Sequence, residues 1–302
     1  MNHPMLRLLL CIMLGLGIFS PRGATAEEVT IRHGGLTLNA NLALGARKTL
    51  RDGAFLITHG TLAHNRMELL AGLQQQLAER GLTSLAINLS LGLDNRHGMY
   101  DCRQPIVGVH SDDIAEIGAW FAWLKRQGAG RIVLAGHSLG GTLTAWYAAE
   151  HDDPAIAAVV LLAPGTWDDA AAAQDYQARF KTPLAPLLRR AEALVDTGEG
   201  GKLLADVGVL SCPGATVSAA AFADYYGSDR RKDTPYLLAR IAKPILLIAA
   251  GNDAVVRGLP ERVRPMADGR KLSLVVVEGA DHLFQDLFLD DAVAAIAEFV
   301  AR

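Results

Sequence analysis

Short apolar runs alternate with stretches of helical periodicity along most of this chain. The apolar runs contain almost no polar position, which is the pattern of strands that are buried on both faces of a sheet. They cover residues 54–57, 85–87, 132–135, 158–162, 245–248 and 272–277. Helical periodicity covers residues 67–80, 112–127, 139–150, 259–266 and 286–300. Strands that alternate with helices predict a parallel sheet with right-handed crossover connections.

Two segments depart from this alternation. Residues 29–33 and 36–42 alternate apolar with polar positions around Gly34-Gly35, which predicts an antiparallel hairpin. Residues 166–240 are rich in alanine and other helix formers and contain no convincing buried strand. We interpret this segment as a helical cap inserted in a core that comprises residues 27–165 and 241–302. An independent domain or a loosely ordered loop is the alternative.

The first 26 residues have the pattern of a signal peptide. Arg7 precedes a twelve-residue apolar run at 8–19, and Ala24-Thr25-Ala26 matches the small residues of a cleavage site. Twelve helical residues span about 18 Å, whereas the apolar core of a bilayer is about 30 Å thick. We expect cleavage after Ala26, export to the periplasm or the medium, and no stable membrane span. A retained N-terminal anchor or a buried core helix is the alternative.

Composition and charge favour a globular protein without a nucleic-acid partner. Apolar residues make up 50% of the 302 positions and charged residues 20%. The net charge is −3, and loss of Arg7 and Arg22 with the leader would leave 27 basic residues against 32 acidic, a net charge of −5. The longest basic run, residues 230–232, has an acid on each side. The sequence gives no indication of oligomeric state.

Only two cysteines would remain after cleavage, Cys102 and Cys212. In an oxidising compartment such a pair can form one disulfide. Two separate buried thiols are equally compatible with the sequence, because spacing alone does not bring the two Cα atoms together. Both interpretations stay open at this stage.

The strongest local motif is Gly136-His137-Ser138-Leu139-Gly140, followed by Gly141. It matches G-x-S-x-G, and it directly follows an apolar run and directly precedes a helical stretch, as a strand–turn–helix nucleophile elbow requires. Glycines are needed in so tight a turn because side chains would collide with the strand and the helix. The helix start would aim free N–H groups at the group that Ser138 attacks. We therefore predict that Ser138 is a nucleophile.

On these residues the chain resembles the α/β-hydrolase family over nearly all of residues 27–302, with patterns similar to the branch of monoacylglycerol lipase and serine aminopeptidase. The resemblance implies an α/β-hydrolase fold with a mostly parallel central sheet flanked by helices. It also implies an acid and a histidine after late strands. Asp253 follows the run 245–250 and His282 follows the run 272–277, so these two complete the predicted triad.

Three other acids compete with Asp253 for the role of triad carboxylate. Asp281 is the immediate neighbour of His282 and should point elsewhere. Asp168 and Asp169 follow the strand before the cap, where some members of the family have their acid.

The segment His59-Gly60-Thr61-Leu62 follows a predicted strand and resembles the oxyanion loop of the family. The resemblance implies that the backbone N–H groups of Thr61 and Leu139 bind the developing oxyanion. His59 would support this loop, and His137, which lies within the nucleophile elbow, would pack beside the loop.

The remaining histidines suggest no metal site. His64, His97 and His110 share no metal-ligand spacing with one another or with the cysteines. No cofactor or metal is therefore expected. The polar segment 95–103 follows a strand end and is interpreted as a surface loop, with a place beside the active site as the alternative.

The resemblance implies an exported serine hydrolase that cleaves carboxylic esters through an acyl-enzyme on Ser138. The substrate would be a small-molecule or lipid-like acyl compound. Apolar cap positions 184–188, 191–195 and 219–222 could line an acyl pocket. The alternatives are a thioesterase or a peptidase or amidase with the same triad, and a hydrolase fold that binds ligands without catalysis.

Overall fold

A computed structural model describes residues 26–302, so the predicted leader at 1–26 lies outside the described residues apart from Ala26. An eight-stranded sheet has the spatial order β1-β2-β4-β3-β5-β6-β9-β10, and β7 and β8 form a separate hairpin. The strands are β1 (Glu27–His33), β2 (Leu36–Ala43), β3 (Ala54–Thr58), β4 (Ser84–Asn88), β5 (Ile132–His137), β6 (Ile156–Leu162), β7 (Leu203–Val209), β8 (Cys212–Ser218), β9 (Ile245–Ala250) and β10 (Leu272–Val277).

The direction of each strand agrees with its sequence pattern, which is alternating for the hairpin and continuously apolar for the other strands of the large sheet. Strand β2 is antiparallel to β1 and to β4, whereas β4, β3, β5, β6, β9 and β10 pair in parallel. The predicted hairpin is therefore confirmed as β1 and β2. All six continuous apolar runs are confirmed as parallel strands, since both of their faces are covered by helices.

Nine α-helices connect and cover the strands of the described chain. They are α1 (Glu68–Glu79), α2 (His110–Arg126), α3 (Leu139–Glu150), α4 (Asp169–Phe180), α5 (Leu184–Asp196), α6 (Ala219–Tyr226), α7 (Thr234–Leu238), α8 (Leu259–Val263) and α9 (Phe288–Ala301). The predicted helix 259–266 divides into α8 and a 3-10 turn at Arg264–Met266, because Pro265 removes a backbone donor.

Successive side chains of a strand point to opposite faces, which gives the molecule two apolar cores. Phe55 and Ile57 of β3 belong to the core on the side of α1 and α9. Ala54 and Leu56 of the same strand belong to the core on the side of α2 and α3. The three layers hold the carboxyl ends of β5, β9 and β10 at one edge of the sheet, where loops can carry functional side chains.

The segment 166–240 is not purely helical, which corrects the sequence interpretation. Besides α4 to α7 it contains the hairpin of β7 and β8. The hairpin escaped prediction because its pairing shifts register at Leu204/Val207 and Val207/Val209, and because Pro213 and Gly214 interrupt its apolar pattern. Short-range alternation therefore does not mark these strands.

A disulfide joins the hairpin to the core. Cys102, in the connection between β4 and α2, pairs with Cys212 of β8 at a Cα–Cα distance of 5.4 Å. Ile106 reinforces the attachment, because its N–H donates to Thr216 (2.9 Å) and its carbonyl accepts from Ser218 (2.9 Å). The structure therefore contains the disulfide between Cys102 and Cys212, and the alternative of two separate thiols is wrong.

No helix within residues 26–302 is both long and apolar enough to cross a membrane.

Candidate active site

Ser138 lies in a tight turn between β5 and α3. Its backbone has φ 56° and ψ −127°, a strained conformation for a residue with a side chain. A Cβ on Gly136 would overlap the carbonyl oxygen of Gly140, and a Cβ on Gly140 would overlap that of His59. The two glycines of G-x-S-x-G are therefore steric requirements of this turn, which presents the serine hydroxyl at the edge of the sheet.

The structure brings Ser138, His282 and Asp253 into one hydrogen-bonded chain. Oγ of Ser138 lies 2.9 Å from Nε2 of His282, although 144 positions separate the two residues. Nδ1 of His282 lies 2.8 Å from Oδ2 of Asp253. Asp253 follows β9 and His282 follows β10, so neighbouring parallel strands deliver both side chains to the end of β5.

Asp253 is held as a carboxylate. Its Oδ1 accepts hydrogen bonds from the backbone N–H groups of Val255 (2.7 Å) and Val256 (2.8 Å). Burial acts to raise the pKa of Asp253, but the hydrogen bonds from His282, Val256 and Val255 outweigh it and leave that pKa below its usual value. A negative charge therefore faces Nδ1 of His282, and it favours the tautomer whose Nε2 is free to accept a proton.

The three competing acids are engaged elsewhere. Oδ1 of Asp281 accepts from the backbone N–H groups of Leu283 (3.0 Å) and Gln285 (3.3 Å). Asp168 caps the start of α4, where its side chain accepts from Ala171 at 2.8 Å, and Asp169 accepts from the indole N–H of Trp167 at 2.6 Å.

Thr61 and Leu139 line the same cavity as Ser138. Leu139 is the first residue of α3, so its N–H has no partner within the helix. Neither this N–H nor that of Thr61 donates to another backbone group in the part of the chain that the structure describes. Gly60 allows the close approach, because a Cβ there would lie 3.1 Å from Cβ of Ser138.

His59 supports the loop that contains Thr61. Its Nδ1 lies 2.8 Å from the carbonyl oxygen of Gly60, and its Nε2 accepts from the N–H of Leu89 at 3.0 Å. Burial, with a smaller contribution from the charge of Arg96, lowers the pKa of His59 to about 3. The imidazole is therefore neutral and can serve as a fixed hydrogen-bonding bridge.

Arg96 is a positioning residue that the sequence did not reveal. Arg96 is 5% exposed. Its Nη2 lies 3.1 Å from Nε2 of His59 and donates to the carbonyl of Ala63 (2.8 Å) and to Oδ1 of Asn88 (2.7 Å). The interpretation of residues 95–103 as a surface loop is thus wrong at this position. No periodicity could have marked it, because a buried arginine depends on acceptors from distant segments.

His137 lies beside Gly60, as expected, and it also holds the loop that carries His282. Its Nε2 lies 2.8 Å from the carbonyl oxygen of His282, and the two rings are 4.8 Å apart. Burial, followed by the charge of His282, lowers the pKa of His137 to about 4. A neutral imidazole that donates to this carbonyl fixes the backbone from which His282 projects.

A cavity of about 250 Å³ opens beside Ser138. Its apolar walls are formed by Leu139, Trp167, Leu210, Val255 and Val256. The cap positions 184–188, 191–195 and 219–222, which were expected to line an acyl pocket, do not line this cavity. Their buried side chains pack into the interior of the cap, where α5 contacts α6.

Within residues 26–302, His, Cys, Asp and Glu form no group of three that could hold a metal ion.

Comparisons with known proteins identify the family of this chain. The model of the alpha/beta hydrolase family matches residues 55–299. That range covers most of the chain, and the chain therefore belongs to the alpha/beta hydrolase family and is a hydrolase. A sequence search finds no match among curated proteins.

Solved structures show the same fold at low sequence identity. Est1E from Butyrivibrio proteoclasticus is 19% identical, with a TM-score of 0.62 over 91% of this chain and 97% of that one. An esterase of Pyrococcus furiosus is 18% identical, with a TM-score of 0.61 over 92% and 91%. E-2-(acetamidomethylene)succinate hydrolase is 24% identical, with a TM-score of 0.59 over 92% and 100%.

Proposed function

We propose that this protein is a serine hydrolase of carboxylic esters and that it forms an acyl-enzyme on Ser138. The observation that carries the proposal is the continuous chain from Oγ of Ser138 through the imidazole of His282 to the carboxylate of Asp253, at 2.9 and 2.8 Å. A hydroxyl becomes an effective nucleophile only when a base can take its proton, and that base needs support for its positive charge.

The mechanism follows from these positions. Nε2 of His282 takes the proton of Ser138 while Oγ attacks the ester carbonyl, and Asp253 stabilises the resulting imidazolium. The backbone N–H groups of Thr61 and Leu139 bind the oxyanion, with the positive end of the α3 dipole behind them. His282 then gives its proton to the leaving alcohol, and a water molecule activated by the same imidazole releases the acid.

Esters are the preferred substrate class because the cavity walls are mainly apolar and because an alcohol leaves with less protonation than an amine. Thioesters and amides would use the same three residues, so rates on matched p-nitrophenyl esters, acyl-CoA analogues and aminoacyl anilides separate the three activities. A protein that only binds ligands would turn over none of them.

The test is replacement of Ser138 by alanine. We expect Ser138→Ala to abolish p-nitrophenyl ester turnover and labelling by a fluorophosphonate probe, with an unchanged melting temperature. Ser111→Ala is the matched control, because Ser111 is an exposed serine of α2 whose side chain does not line the cavity, and it should retain both properties. Substantial turnover by Ser138→Ala, or wild-type protein that the probe does not label, would reject the proposal.

Export is part of the proposal. It is supported by the leader pattern of residues 1–26 and by the Cys102–Cys212 pair, since such bonds persist in oxidising compartments. Cell fractionation and N-terminal sequencing test it. We expect a mature protein outside the cytoplasm that begins at Glu27, whereas an intact cytoplasmic chain would contradict export.

A further inference from the structure

The cavity beside Ser138 changes character between its mouth and its inner end. At the mouth, Val255 is 68% exposed. At the inner end the lining side chains are themselves almost fully buried, with His110 3%, Tyr225 5% and Lys232 6% exposed. A substrate group that reaches this end leaves water, so its polar atoms need partners from the protein.

Two polar side chains at the inner end are already satisfied. Nζ of Lys232 donates to three backbone carbonyls within residues 224–227. Oγ1 of Thr142 donates to the carbonyl of Gly165 at 3.3 Å and accepts from Oγ1 of Thr234 at 3.2 Å. Their donors are used within the protein, so neither side chain calls for a ligand.

His110 is different, because one of its ring nitrogens is left for the cavity. Its Nδ1 lies 2.7 Å from Oδ2 of Asp224, in an oblique electrostatic contact. This contact favours a proton on Nδ1 and leaves Nε2 as an acceptor. The buried ring nitrogen without a well-oriented hydrogen bond is Nδ1. The ring lines the cavity, so Nε2 can accept from a group that enters it.

Tyr225 also lacks a partner. Its ring packs edge-on against His110, with the ring centres 4.9 Å apart. Its hydroxyl forms no hydrogen bond with any described residue, although the side chain is buried on the cavity wall. The hydroxyl is therefore open to the cavity, where it can bond to a polar group that enters.

We propose that the inner end of this cavity is a subsite for a hydroxyl group of the substrate, bound by His110 and Tyr225. One hydroxyl can donate to Nε2 of His110 and accept from the phenol of Tyr225. Trp167 and Leu210 also line the cavity and make part of its wall apolar. The substrate class is an ester whose cavity-filling part is apolar along its length and ends in a hydroxyl, such as a hydroxyaryl group.

Other terminal groups match this end less well. A carboxylate has no proton to donate to Nε2, and it would meet the carboxylate of Asp224, which lies near Tyr225 and whose pKa is below its usual value. An alkyl or unsubstituted aryl end would leave both His110 and Tyr225 unpaired, which a site with buried polar groups penalises.

The test compares esters that differ only at the terminal group, and it rests on the proposed esterase activity. One series consists of the p-nitrophenyl esters of phenylpropanoate, para-hydroxyphenylpropanoate and para-carboxyphenylpropanoate. A second series consists of the acetate esters of the corresponding arylpropanols, which covers binding of the alcohol part. We expect the hydroxyl to raise kcat/KM about tenfold or more in at least one series, the size expected for gaining a buried hydrogen bond.

Variants then assign the preference to the two residues. Tyr225→Phe and His110→Gln should each reduce the ratio of kcat/KM between the hydroxylated and the unsubstituted ester toward one. Tyr236→Phe is the matched control, because the Tyr236 ring packs between Arg230 and Arg240 and does not line the cavity. It should keep the wild-type ratio. If His110→Gln does not fold, Tyr225→Phe alone decides.

Three results would overturn the subsite. They are a wild-type ratio near one in both series, a preference for the carboxylated ester, and a hydroxyl preference that Tyr225→Phe leaves unchanged. Turnover of the unsubstituted esters, lost in Ser138→Ala, reports on the proposed function separately. If these esters are hydrolysed and the ratio is one, only the subsite is wrong. If no ester is hydrolysed, the esterase proposal fails and the subsite fails with it.

Discussion

At the scale of single residues, the site depends on charges that the surroundings hold in defined states. Asp253 stays ionised because three hydrogen bonds offset its burial, whereas His59 and His137 stay neutral because burial lowers their pKa values. The carboxylate of Asp253 faces the imidazole of His282, and the neighbouring rings of His59 and His137 are neutral. His282 is therefore the histidine that is positioned to accept the proton of Ser138.

Removing the charge of Asp253 tests this arrangement. Asp253→Asn should lower kcat by about 10⁴-fold with little change in KM, because an amide cannot stabilise the imidazolium and favours the wrong tautomer. Asp168→Asn is the control, since it removes a charge but retains a cap for α4, and steady-state kinetics should show little change. A mild loss in Asp253→Asn would assign the acid to another residue.

Asp113 gives a prediction on pH dependence. Burial raises the pKa of Asp113 well above its usual value, and the charges of Glu116 and Asp224 add to the effect. As pH rises above about 4, the unfolded chain releases this proton before the folded chain does, so the side chain progressively costs stability. The contribution of Asp113 to stability is fully present below its pKa in the unfolded chain, and it is lost as pH rises through its pKa in the folded chain.

Asp113→Asn should therefore stabilise the protein increasingly with pH, by up to about 1.4 kcal/mol per pH unit, until the pH passes the folded pKa of Asp113. Denaturant unfolding between pH 4 and pH 8 measures this difference. Asp112→Asn is the matched control, because the neighbouring Asp112 is exposed in the same helix turn. A stability difference that shrinks as pH rises would contradict the sign.

At the scale of elements, the nucleophile turn is fixed by the contact of α3 with β3. The two elements approach most closely at Gly140, whose Cα faces the carbonyls of Thr58 and His59 at the end of β3. This contact connects the turn around Ser138 to the loop that contains Thr61, so backbone packing sets the distance between Ser138 and the backbone N–H of Thr61.

Gly140→Ala should destabilise the fold by about 3 kcal/mol or more and should greatly reduce activity, because the new Cβ must displace backbone and not a flexible side chain. Gly130→Ala is the control, since a Cβ at Gly130 meets nothing within 4 Å. Thermal unfolding and ester turnover measure both variants. A stable and fully active Gly140→Ala protein would show that α3 can move without penalty.

At the scale of the whole molecule, the cap shares an apolar core with α2 and α3 and is also joined to the core by a covalent bond. The disulfide between Cys102 and Cys212 closes a sequence separation of 110 residues. Leu210, two residues before Cys212, lines the cavity, and its N–H donates to the hydroxyl of Tyr226 at 2.7 Å. The same attachment therefore serves stability and the shape of the cavity.

Replacing both cysteines by alanine should lower the free energy of unfolding by about 4 to 5 kcal/mol, the value that the chain-entropy model gives for a loop of this length. Denaturant titration measures the loss, and KM should rise because the Leu210 wall loosens. Wild-type protein treated with a reductant should show the same loss, while the variant should not respond to it. Equal unfolding midpoints of the wild-type protein with and without reductant would contradict the prediction.

The sequence by itself determined the alternation of strands and helices, the first hairpin and the nucleophile turn, and it placed Asp253 and His282 after late strands. These features follow from local causes, namely side-chain periodicity and the steric needs of a tight turn. The carboxyl ends of parallel strands lie at the same edge of the sheet, so residues that directly follow these strands lie close together.

Only the tertiary structure decided the cysteine pairing, the burial of Arg96, the hairpin within residues 166–240 and the lining of the cavity. Each depends on groups that are distant in sequence, such as Cys102 with Cys212 or Arg96 with His59. Secondary-structure propensity and hydrophobic periodicity do not predict which distant residues will pair. A buried polar group is stable only where the fold supplies its acceptors or donors.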